Sequence, residues 1–437
     1  MNHSQYESNP YSFAVWVAKQ LTQAGHQALF AGGCVRDKIL GVQPKDYDVA
    51  TSAVPAEVQA IFGRKRTIAI GAAFGVISVI GNSETGNVEI ATFRADGEYA
   101  DGRRPDHVTF TDAKNDALRR DFTINGLFYD PIQESILDYV DGQQDLQRQV
   151  IRAIGNPVDR FNEDKLRMLR AVRFATTLGF EIEPETMQAI QNHATEIDKV
   201  SGERILAEMN RLLASPRRGQ GLLLLRHSRL ESVILPLATD LKLTSLEKVC
   251  RALDHRPMHH ANLEISIAAL LFVGCIDDVG LDEFLKPDSH ARLKPLHKQL
   301  QQLIDHWHLS NVSKGILKEA IVNVGFLIGA DSLAWSQLQP KLICPYSKEV
   351  LAVASLVVEQ YAIDPSGIQR CLACLELPVQ QLNPAPLLSG DQLMEMGVPK
   401  GPKLGQCLQQ LRRQQLDQPH FTAQDAIAWV QTQVQKI

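Results

Sequence analysis

Two adjacent glycines at a predicted strand-to-helix turn constrain the fold of this chain more than any other feature. The apolar run at 28–31 predicts a buried strand, and Gly32 and Gly33 follow it directly. A predicted helix then runs from about Val35 and stops at Gly41. Two glycines let the backbone approach an anion closely, and the first N–H groups of a helix are free to bind it. The turn therefore suggests a small α/β sheet domain with a phosphate site, although most such pairs merely make turns.

Arg36 adds to the phosphate interpretation. It lies one turn into the predicted helix, where its guanidinium group can donate a fork of hydrogen bonds to a phosphate. The spacings of two other common phosphate-binding turns, GxGxxG and GxxxxGK[ST], are absent from the chain.

Three carboxylates follow this turn in predicted strands. A strand over 46–50 would project Asp46 and Asp48 from one face of the sheet. Two carboxylates this close repel each other unless cations lie between them, and Mg²⁺ ions would satisfy them. Glu89 lies between apolar neighbours in a later strand and is expected to need a partner there. We therefore predict Asp46 and Asp48 as metal ligands and Glu89 as a third carboxylate beside them. The alternatives are two solvated aspartates at a strand end and an ordinary salt bridge at Glu89.

The pattern of the chain changes after its first third. Short apolar runs bounded by Gly, Asn and Pro predict strands up to about residue 150, and helical periodicity dominates beyond it. A chain of 437 residues is expected to form two to four domains. Candidate breaks lie at 141–146, near Gly219 and Gly221, and at 383–390.

Composition excludes several classes of protein. A hydrophobic share of 44% indicates a globular chain, and the odd count of seven cysteines fits reduced thiols better than a disulfide framework. The chain lacks both a signal-peptide pattern and a run of about 18 apolar residues, so we expect a cytoplasmic protein that does not enter a membrane. A net charge of −5 argues against indiscriminate binding of nucleic acid but allows a local basic groove.

Six short motifs occur in this chain in the order of one known family. They are GlyGlyCysValArgAsp, AspTyrAsp, GluIleAlaThrPheArg, ArgArgAspPheThrIleAsn, GluAspLysLeuArg and SerGlyGluArgIle, and together they cover roughly 28–210. The set resembles the class II nucleotidyltransferases, the branch that contains tRNA CCA-adding enzymes and bacterial poly(A) polymerases. This resemblance implies an α+β head of the polymerase-β type with a mixed sheet, followed by an all-α neck, body and tail. The implied domains are the catalytic head at 1–150, a neck for base recognition and RNA binding at 151–220, a body at 221–382 and an RNA-binding tail at 383–437.

The resemblance also implies roles for individual residues near the glycine turn. Gly32, Gly33 and Arg36 would hold phosphate together with Arg120 of the ArgArgAsp motif. Asp121 can accept a hydrogen bond from a ribose hydroxyl, which would favour a ribonucleotide, and Asn125 would support the same site. Without the resemblance, residues 119–125 also fit a helix start with a surface ion pair.

The GluAspLysLeuArg motif bears on base specificity. Helical periodicity over 163–175 predicts one helix in which Asp164, Arg167 and Arg170 share a face, and this face could be only a salt-bridged outer surface. In the family, the matching Asp and Arg read the incoming base. A carboxylate accepts from the exocyclic amine of C or A, a guanidinium donates to the neighbouring ring acceptor, and both signals mismatch G and U. The resemblance also places Arg170 and Arg173 on this nucleotide-facing helix.

The segment 95–107 is rich in Gly and charge and poor in apolar anchors, which predicts a mobile loop. Its position resembles the flexible loop that CCA-adding enzymes need to reshape the base pocket from C to A. The segment therefore favours an enzyme able to add A, and an ordinary surface connection is the alternative.

These observations predict template-independent transfer of CMP and AMP from CTP and ATP to the 3′ end of tRNA. The RNA 3′-hydroxyl would attack the α-phosphorus in line, two Mg²⁺ ions would assist, and pyrophosphate would leave. Asp46 and Asp48 would bind metal, and Glu89 would assist the first ion or take the proton. A poly(A) polymerase or A-only enzyme acting on other RNA 3′ ends is the alternative. A non-catalytic RNA-binding protein is disfavoured because all three carboxylates are present, and no protein partner can be inferred.

Overall fold

The computed structural model describes residues 9–71, 74–97, 108–256, 262–286 and 290–434. The chain divides into two units, residues 1–236 and 237–437. Most of the predicted loop at 95–107 lies outside the described residues, and the division into head, neck, body and tail remains a prediction. Within the described ranges, no helix is both long and apolar enough to cross a membrane.

In the described part of the first unit, the strands build one large sheet and two small ones. They are β1 (Ala28–Ala31), β2 (Val49–Thr51), β3 (Thr67–Gly71), β4 (Val76–Val79), β5 (Val88–Thr92), β6 (Arg94–Asp96), β7 (Val108–Phe110), β8 (Phe128–Asp130), β9 (Ser135–Leu137), β10 (Val150–Ile151) and β11 (Glu181–Ile182). The large sheet has the order β3-β4-β5-β2-β1-β8-β9, with β2 and β5 parallel and the other neighbours antiparallel. This confirms the mixed sheet expected of the head.

The helices of the first unit surround this sheet and continue beyond it. They are α1 (Pro10–Gln23), α2 (Gly33–Ile39), α3 (Pro55–Phe62), α4 (Ala113–Leu118), α5 (Gly142–Arg148), α6 (Pro157–Glu163), α7 (Leu166–Leu178), α8 (Pro184–His193), α9 (Gly202–Leu213), α10 (Arg218–His227) and α11 (Glu231–Ile234). The candidate break near Gly219 falls inside α10. A Cβ at Gly221 would lie 2.7 Å from Oγ1 of Thr176 on α7, so glycine serves close helix packing there rather than a linker.

The core of the sheet fixes where the predicted site lies. Leu29 and Ala31 of β1 pack with Ala50 of β2 and Phe128 of β8 in one buried cluster. Alternation along β1 accounts for this, because residues two apart point to the same face. The packing holds β1 against β2, so the turn after Ala31 and the segment that precedes Val49 meet at one edge of the sheet.

The strand predicted over 46–50 is shorter in the structure. β2 begins at Val49, and both Asp46 and Asp48 precede it. The N–H of Ala31 donates to the carbonyl oxygen of Asp48 at 3.0 Å, so the chain is aligned with β1 one residue ahead of the strand. The two aspartates therefore lie in the approach to β2, not within it.

The single helix predicted over 163–175 was wrong. α6 ends at Glu163, α7 begins at Leu166, and Asp164 between them is extended, with φ −149° and ψ 107°. One carboxylate oxygen of Asp164 accepts from the N–H of Leu166 at 3.0 Å. Short acidic side chains that bond nearby N–H groups compete with a continuous helix and favour a break. Asp164 is therefore not part of a helix, and the helical-wheel position that the prediction gave it does not apply.

The described residues of the second unit form helices joined by turns and loops, with no strand among them, as predicted. Its helices are α12 (Pro236–Thr239, at the boundary), α13 (Leu243–Asp254), α14 (Leu263–Val279), α15 (Leu281–Leu285), α16 (His290–Trp307), α17 (Asn311–Ile328), α18 (Trp335–Leu342), α19 (Ser347–Gln360), α20 (Ser366–Leu375), α21 (Val379–Leu382), α22 (Gly390–Glu395), α23 (Pro402–Asp417) and α24 (Ala423–Val434). α14 is apolar on nearly all sides and packs with α13, α16, α17 and α19. Residues of α22, α23 and α24 share a separate small core.

A glycine contact provides a test of packing in this helical unit. A Cβ at Gly367 of α20 would lie 2.1 Å from the carbonyl oxygen of Ile328, which is backbone and cannot rotate away. We expect Gly367→Ala to lower the free energy of unfolding by about 1–3 kcal/mol, measured by urea denaturation. The matched control is Gly405→Ala in α23, where nothing lies within 4 Å of the new methyl group. That change should raise stability by up to about 1 kcal/mol, and equal losses in both variants would contradict the packing.

Candidate active site

The glycine turn lies where β1 ends and α2 begins. Gly32 has φ 72° and ψ −127°, a region that residues with a Cβ rarely adopt. A Cβ on Gly32 would lie 3.1 Å from Nη1 of Arg120. Glycine at this position therefore lets a guanidinium group approach the backbone, and both face the same cavity.

A cavity of about 720 Å³ in the first unit contains most of the predicted site. Its walls come from the ends of β1, β2 and β5, from residues 119–125, and from α7 and α9. The predicted residues that line it are Gly32, Gly33, Arg36, Asp48, Glu89, Arg120, Asp121, Asn125, Asp164, Arg167 and Arg170. Asp46 and Arg173 are the two predicted site residues that do not line it.

The parallel pairing of β2 and β5 brings two carboxylates together. Val49 pairs with Ile90 in this register, so the preceding residues, Asp48 and Glu89, lie side by side at the cavity. Asp48 as a whole residue is exposed, but the cavity walls partly desolvate its carboxyl group. This desolvation and the negative charge of Glu89 raise the pKa of Asp48 to about 6, against the opposing charge of Arg120.

Two expectations about these carboxylates change with the structure. Val88 and Ile90 are buried on one face of β5, and Glu89 between them is exposed on the other face. The expectation that Glu89 lies among apolar side chains and needs a partner there was therefore wrong. Asp46 is also exposed and adds the smallest of the increases in the pKa of Asp48. Asp46 is thus near enough to act on Asp48 by charge without lining the cavity.

The chemistry of these oxygens suits a divalent cation. Among the described residues, no group of three or more His, Cys, Asp or Glu side chains is placed to hold a metal ion by itself. Mg²⁺ is commonly bound by one or two carboxylates together with water and substrate phosphates, not by a complete protein cage. Desolvation and then the negative charges of Glu89 and Asp46 raise the pKa of Asp48, and a carboxylate group in these surroundings fits a cation of that kind.

A buried aspartate that sequence reasoning missed holds two arginines at the cavity. Asp116 of α4 is 1% exposed. One of its oxygens accepts from Nη2 of Arg119 at 2.7 Å, and the other accepts from Nη2 of Arg120 at 2.8 Å. Burial acts to raise the pKa of Asp116, but the charges of Arg120 and Arg119 outweigh it and hold the pKa below 3.8. Asp116 therefore fixes the guanidinium group that lies against Gly32.

The two residues predicted to read the base both face the cavity. Asp164 accepts from Nη2 of Arg204 at 2.7 Å through the oxygen that Leu166 does not use. Arg167 is only 8% exposed. Its guanidinium group donates to the carboxylate of Glu163 and, at 3.2 Å, to the carbonyl oxygen of Arg119. Both side chains are thus held in place by neighbours from several elements.

Arg170 and Arg173 both belong to α7, but Arg173 does not line the cavity. Arg170 faces the cavity and bonds Asp121 through Nε at 2.9 Å and Nη2 at 2.7 Å. Arg173 is buried, bonds Glu208 of α9 at 2.7 Å and lies 3.4 Å from the centre of the Phe174 ring. Its position does not support the predicted nucleotide contact. Residues three apart on a helix differ by only about 60° around its axis, so the two arginines lie on one side of α7, and both approach Glu208.

Arginines dominate the charge of the cavity. Among the residues that the structure describes, seven arginines and four carboxylates line it, although the whole chain carries a net charge of −5. Sequence reasoning missed three of the seven, namely Arg119, Arg204 and Arg211. Arg204 and Arg211 lie seven residues apart on α9, two turns along one face, which is the signal that could have identified them. Such a positive field suits a polyphosphate.

Comparison with known proteins places this site in a family. A model for the poly A polymerase head domain matches residues 28–152, and a model for the probable RNA and SrmB-binding site of polymerase A matches residues 179–241. A CCA-adding enzyme of Lacticaseibacillus paracasei is 34% identical over 404 residues, which cover 92% of this chain and 91% of that protein. One from Lactococcus lactis subsp. cremoris is 41% identical over 257 residues, 58% of this chain and 62% of its own.

Solved structures agree with these relatives. The CCA-adding enzyme of Bacillus stearothermophilus, determined in complex with CTP, matches with a TM-score of 0.75 and 28% identity over 98% of both chains. The enzyme of Thermotoga maritima shares the fold, with a TM-score of 0.64 and 18% identity over 97% of this chain and 95% of that one. The head and its cavity therefore define an RNA 3′-end nucleotidyltransferase. The chain belongs to the family of the CCA-adding enzymes.

The Asp116 contact generates a prediction for the arginines. We expect Asp116→Asn to lower kcat/KM for the nucleotide by about 10²-fold, because the guanidinium group of Arg120 loses its fixed position. Loss of one partner from this buried pair should also lower stability by about 3 kcal/mol at neutral pH. Steady-state kinetics and urea denaturation measure the two effects.

The pH dependence of that stability loss has a defined sign. The folded pKa of Asp116 lies below 3.8, so its ion pairs contribute fully above about pH 4 and are lost as the pH falls through the folded pKa. Parent and Asn variant should therefore differ at pH 7 and converge at acid pH. The exposed Glu84→Gln serves as the control and should change neither measurement, whereas normal kinetics in Asp116→Asn would contradict the assignment.

Proposed function

We propose that this protein completes the 3′ end of tRNA by adding CMP and AMP from CTP and ATP until the end reads CCA. The observation that carries the proposal is that Asp164 and Arg167 line the same cavity as Asp48 and Glu89. One pair suits recognition of a base, and the other suits chemistry at a phosphate. The relatives that match over most of their length are named CCA-adding enzymes, which supports tRNA as the RNA.

The phosphate half of the cavity would hold the triphosphate of the incoming nucleotide. The backbone at Gly32 and Gly33 would face the phosphates, and Arg36 and Arg120 would add guanidinium donors. Arg120 reaches this position because Asp116 holds it from behind. These groups would bind the triphosphate of CTP and ATP equally, since neither base takes part.

Base selection would fall to the other half. Each carboxylate oxygen of Asp164 has one described partner, so each keeps an acceptor position for the exocyclic amine of C or A. Arg167 would donate to the adjacent ring acceptor. G and U present a carbonyl where C and A present an amine. The carboxylate of Asp164 would then face another hydrogen-bond acceptor, and no hydrogen bond could form. The fixed side chains would thus act in place of a nucleic-acid template.

The carboxylates near β2 and β5 would serve the reaction itself. Asp46 and Asp48 would hold Mg²⁺ ions, which supply Lewis-acid stabilisation of the charge that develops on the phosphates and the RNA 3′-hydroxyl. Glu89 is exposed to the cavity beside Asp48 and would accept the proton of that hydroxyl. We propose in-line attack on the α-phosphorus with release of pyrophosphate.

The second candidate is synthesis of poly(A) tails. The model that matches residues 28–152 is named for the head of poly A polymerase, and the contacts described above serve ATP in either enzyme. The proposed roles of the neck and tail in RNA binding, and a cytoplasmic location, stand as predictions. The match at residues 179–241 to a probable RNA-binding segment supports the first of them.

Product length separates the two candidates. We expect purified protein with Mg²⁺ to extend tRNA that ends at the discriminator base by three nucleotides, tRNA ending in C by two, and tRNA ending in CC by one A. Gel analysis with labelled CTP or ATP measures each product. Long A tails on unrelated RNA would replace the CCA proposal by poly(A) synthesis, and no pyrophosphate release with any RNA would reject both.

The carboxylate assignment has its own test. We expect Asp48→Asn to reduce incorporation by about 10³-fold or more, because several kcal/mol of charge stabilisation are lost. Folding should be nearly unchanged, since Asp48 is exposed and the substitution relieves repulsion from Glu89. Radiolabel incorporation and thermal unfolding measure the two effects, with Glu84→Gln as an exposed acidic control. Unchanged turnover in Asp48→Asn would reject its role.

A further inference from the structure

An aromatic residue separates the two aspartates that are proposed to hold metal. Asp46, Tyr47 and Asp48 are consecutive and precede β2, so they lie outside its regular pairing. Residues 41–43, 45 and 46 are exposed, whereas Tyr47 is half-buried. The negative charge of Asp46 acts to raise the pKa of Asp48, so the two carboxylates repel each other. A segment of this kind needs an anchor if both carboxylates are to face one cation.

The ring of Tyr47 packs against aromatic rings of two other elements. Its centre lies 5.5 Å from that of Phe30 on β1, and the two planes meet at 52°. Its centre also lies 5.5 Å from that of Tyr11 on α1, in an edge-to-face contact at 65°. Phe30 is buried and packs with Tyr11 in turn at 6.0 Å. Aromatic pairs of this geometry stabilise beyond the area that they bury. Tyr47 therefore attaches the aspartate segment to the first strand and the first helix.

The same cluster of rings continues to α2 and β8. Tyr129 of β8 lies 6.2 Å from Phe30 between ring centres. The Nζ of Lys38 on α2 lies 4.7 Å from the centre of the Tyr129 ring, and an aromatic face attracts a cation at this distance. α2 is also the helix that starts at the glycine turn. The anchor of the aspartates is thus built on the same elements as the predicted phosphate site.

Tyr47 is placed to support the metal ligands and not to join them. Asp48 is already aligned with β1, and residues next to each other in a strand point to opposite faces. Tyr47 accordingly contacts Phe30, whereas Asp48 lines the cavity together with Ala31, the next residue of β1. Burial raises the pKa of the Tyr47 phenol, which therefore stays neutral near pH 7. Mg²⁺ prefers carboxylate and phosphate oxygens to a neutral phenol.

We propose that Tyr47 is a positioning residue whose packed ring keeps Asp46 and Asp48 turned together, so that their carboxylates can share divalent cations. This inference rests on the proposed function, in which the two aspartates hold Mg²⁺. Because the ring is fixed before a cation arrives, little of the binding energy is lost to ordering of the ligand segment. Removal of the ring should therefore weaken metal binding, although the ring itself does not touch the metal.

Metal binding without turnover tests this proposal. The probe is Mn²⁺ alone, without nucleotide or RNA, and its binding is measured by the enhancement of water proton relaxation. We expect Tyr47→Ala to raise the dissociation constant for Mn²⁺ by about tenfold or more, the usual effect of losing a group that orients metal ligands. Tyr47→Phe keeps the ring contacts and should stay within about twofold of the parent protein. Unchanged Mn²⁺ affinity in Tyr47→Ala, or an equal loss in Tyr47→Phe, would overturn the proposal.

The dependence of turnover on Mg²⁺ gives a second readout. In Tyr47→Ala, the Mg²⁺ concentration for half-maximal incorporation of CMP should rise by about tenfold or more, as for Mn²⁺ binding, and saturating Mg²⁺ should restore most of the rate. A residue with a merely structural role would instead lower the rate equally at all Mg²⁺ concentrations, through loss of folded protein. That result would contradict the proposal.

A matched control separates metal positioning from a general loss of aromatic packing. Trp16 of α1 is half-buried, and its ring centre lies 5.7 Å from those of Phe13 and Phe62, away from the residues that line the cavity. Trp16→Ala should lower the unfolding temperature without changing the affinity for Mn²⁺. A loss of Mn²⁺ affinity as large as that in Tyr47→Ala would show that packing of α1 in general sets the affinity, and would reject the specific role of Tyr47.

A second variant keeps the test valid if Tyr47→Ala does not fold. Tyr11 is 36% exposed, and Tyr11→Ala removes one of the two rings that contact Tyr47. This variant should weaken Mn²⁺ binding in the same direction but by a smaller factor, because Phe30 still holds the Tyr47 ring. Unchanged Mn²⁺ affinity in Tyr11→Ala would contradict the proposed anchor.

Asp48→Asn separates failure of this inference from failure of the proposed function. If Asp48→Asn weakens Mn²⁺ binding but Tyr47→Ala does not, the metal role of the aspartates stands and the role of Tyr47 is rejected. If neither variant changes the affinity, the metal role in the proposed function is rejected as well. We expect both variants to weaken Mn²⁺ binding, with the larger loss in Asp48→Asn because that variant removes a ligand.

Discussion

The structure of the cavity depends on the pairing of each lining arginine with a carboxylate. Seven guanidinium groups around one small volume would repel each other strongly in a partly desolvated site. Each has an acidic partner within 3.0 Å, as in Arg120 with Asp116, Arg170 with Asp121 and Arg211 with Glu208. Two of these partners, Asp121 and Asp164, line the cavity themselves, and the other four do not. The fold can therefore present positive charge to a triphosphate while the protein as a whole stays acidic.

The sheet supplies the opposite charge at the facing wall. Parallel pairing of β2 with β5 sets Asp48 beside Glu89, and antiparallel pairing of β1 with β2 sets Gly32 at the same edge. The motifs were enough to identify these residues, because the glycine turn and the acidic triplet are local properties of the sequence, although β2 begins only after Asp48. It did not predict that Glu89 would be exposed, since burial of its neighbours on the other face depends on how the sheet packs.

The region of α6 and α7 shows where local sequence patterns stop being sufficient. Periodicity predicted helix over 163–175, yet the break at Asp164 depends on a side-chain bond to the N–H of Leu166 that competes with the helix. The burial of Arg173 depends on Glu208, a residue of another helix and 35 positions away. Asp116 was missed for the same reason, because its value as a partner appears only when Arg119 and Arg120 fold back on it. Ion pairs between separate helices depend on the tertiary structure, whereas a sequence motif gives only the types of the residues.

The phosphate and base halves of the cavity meet at one residue, and this bears on how a protein can replace a template. That residue is Arg119, whose side chain bonds Asp116, the same carboxylate that holds Arg120. The backbone carbonyl oxygen of Arg119 accepts a hydrogen bond from the guanidinium group of Arg167. The donor predicted to read the base is therefore anchored to the same short segment that positions the phosphate donor. Because both guanidinium groups are held before a nucleotide arrives, ordering them would cost little on binding. The proposed discrimination between bases would then rest on the carboxylates that hold these arginines in position.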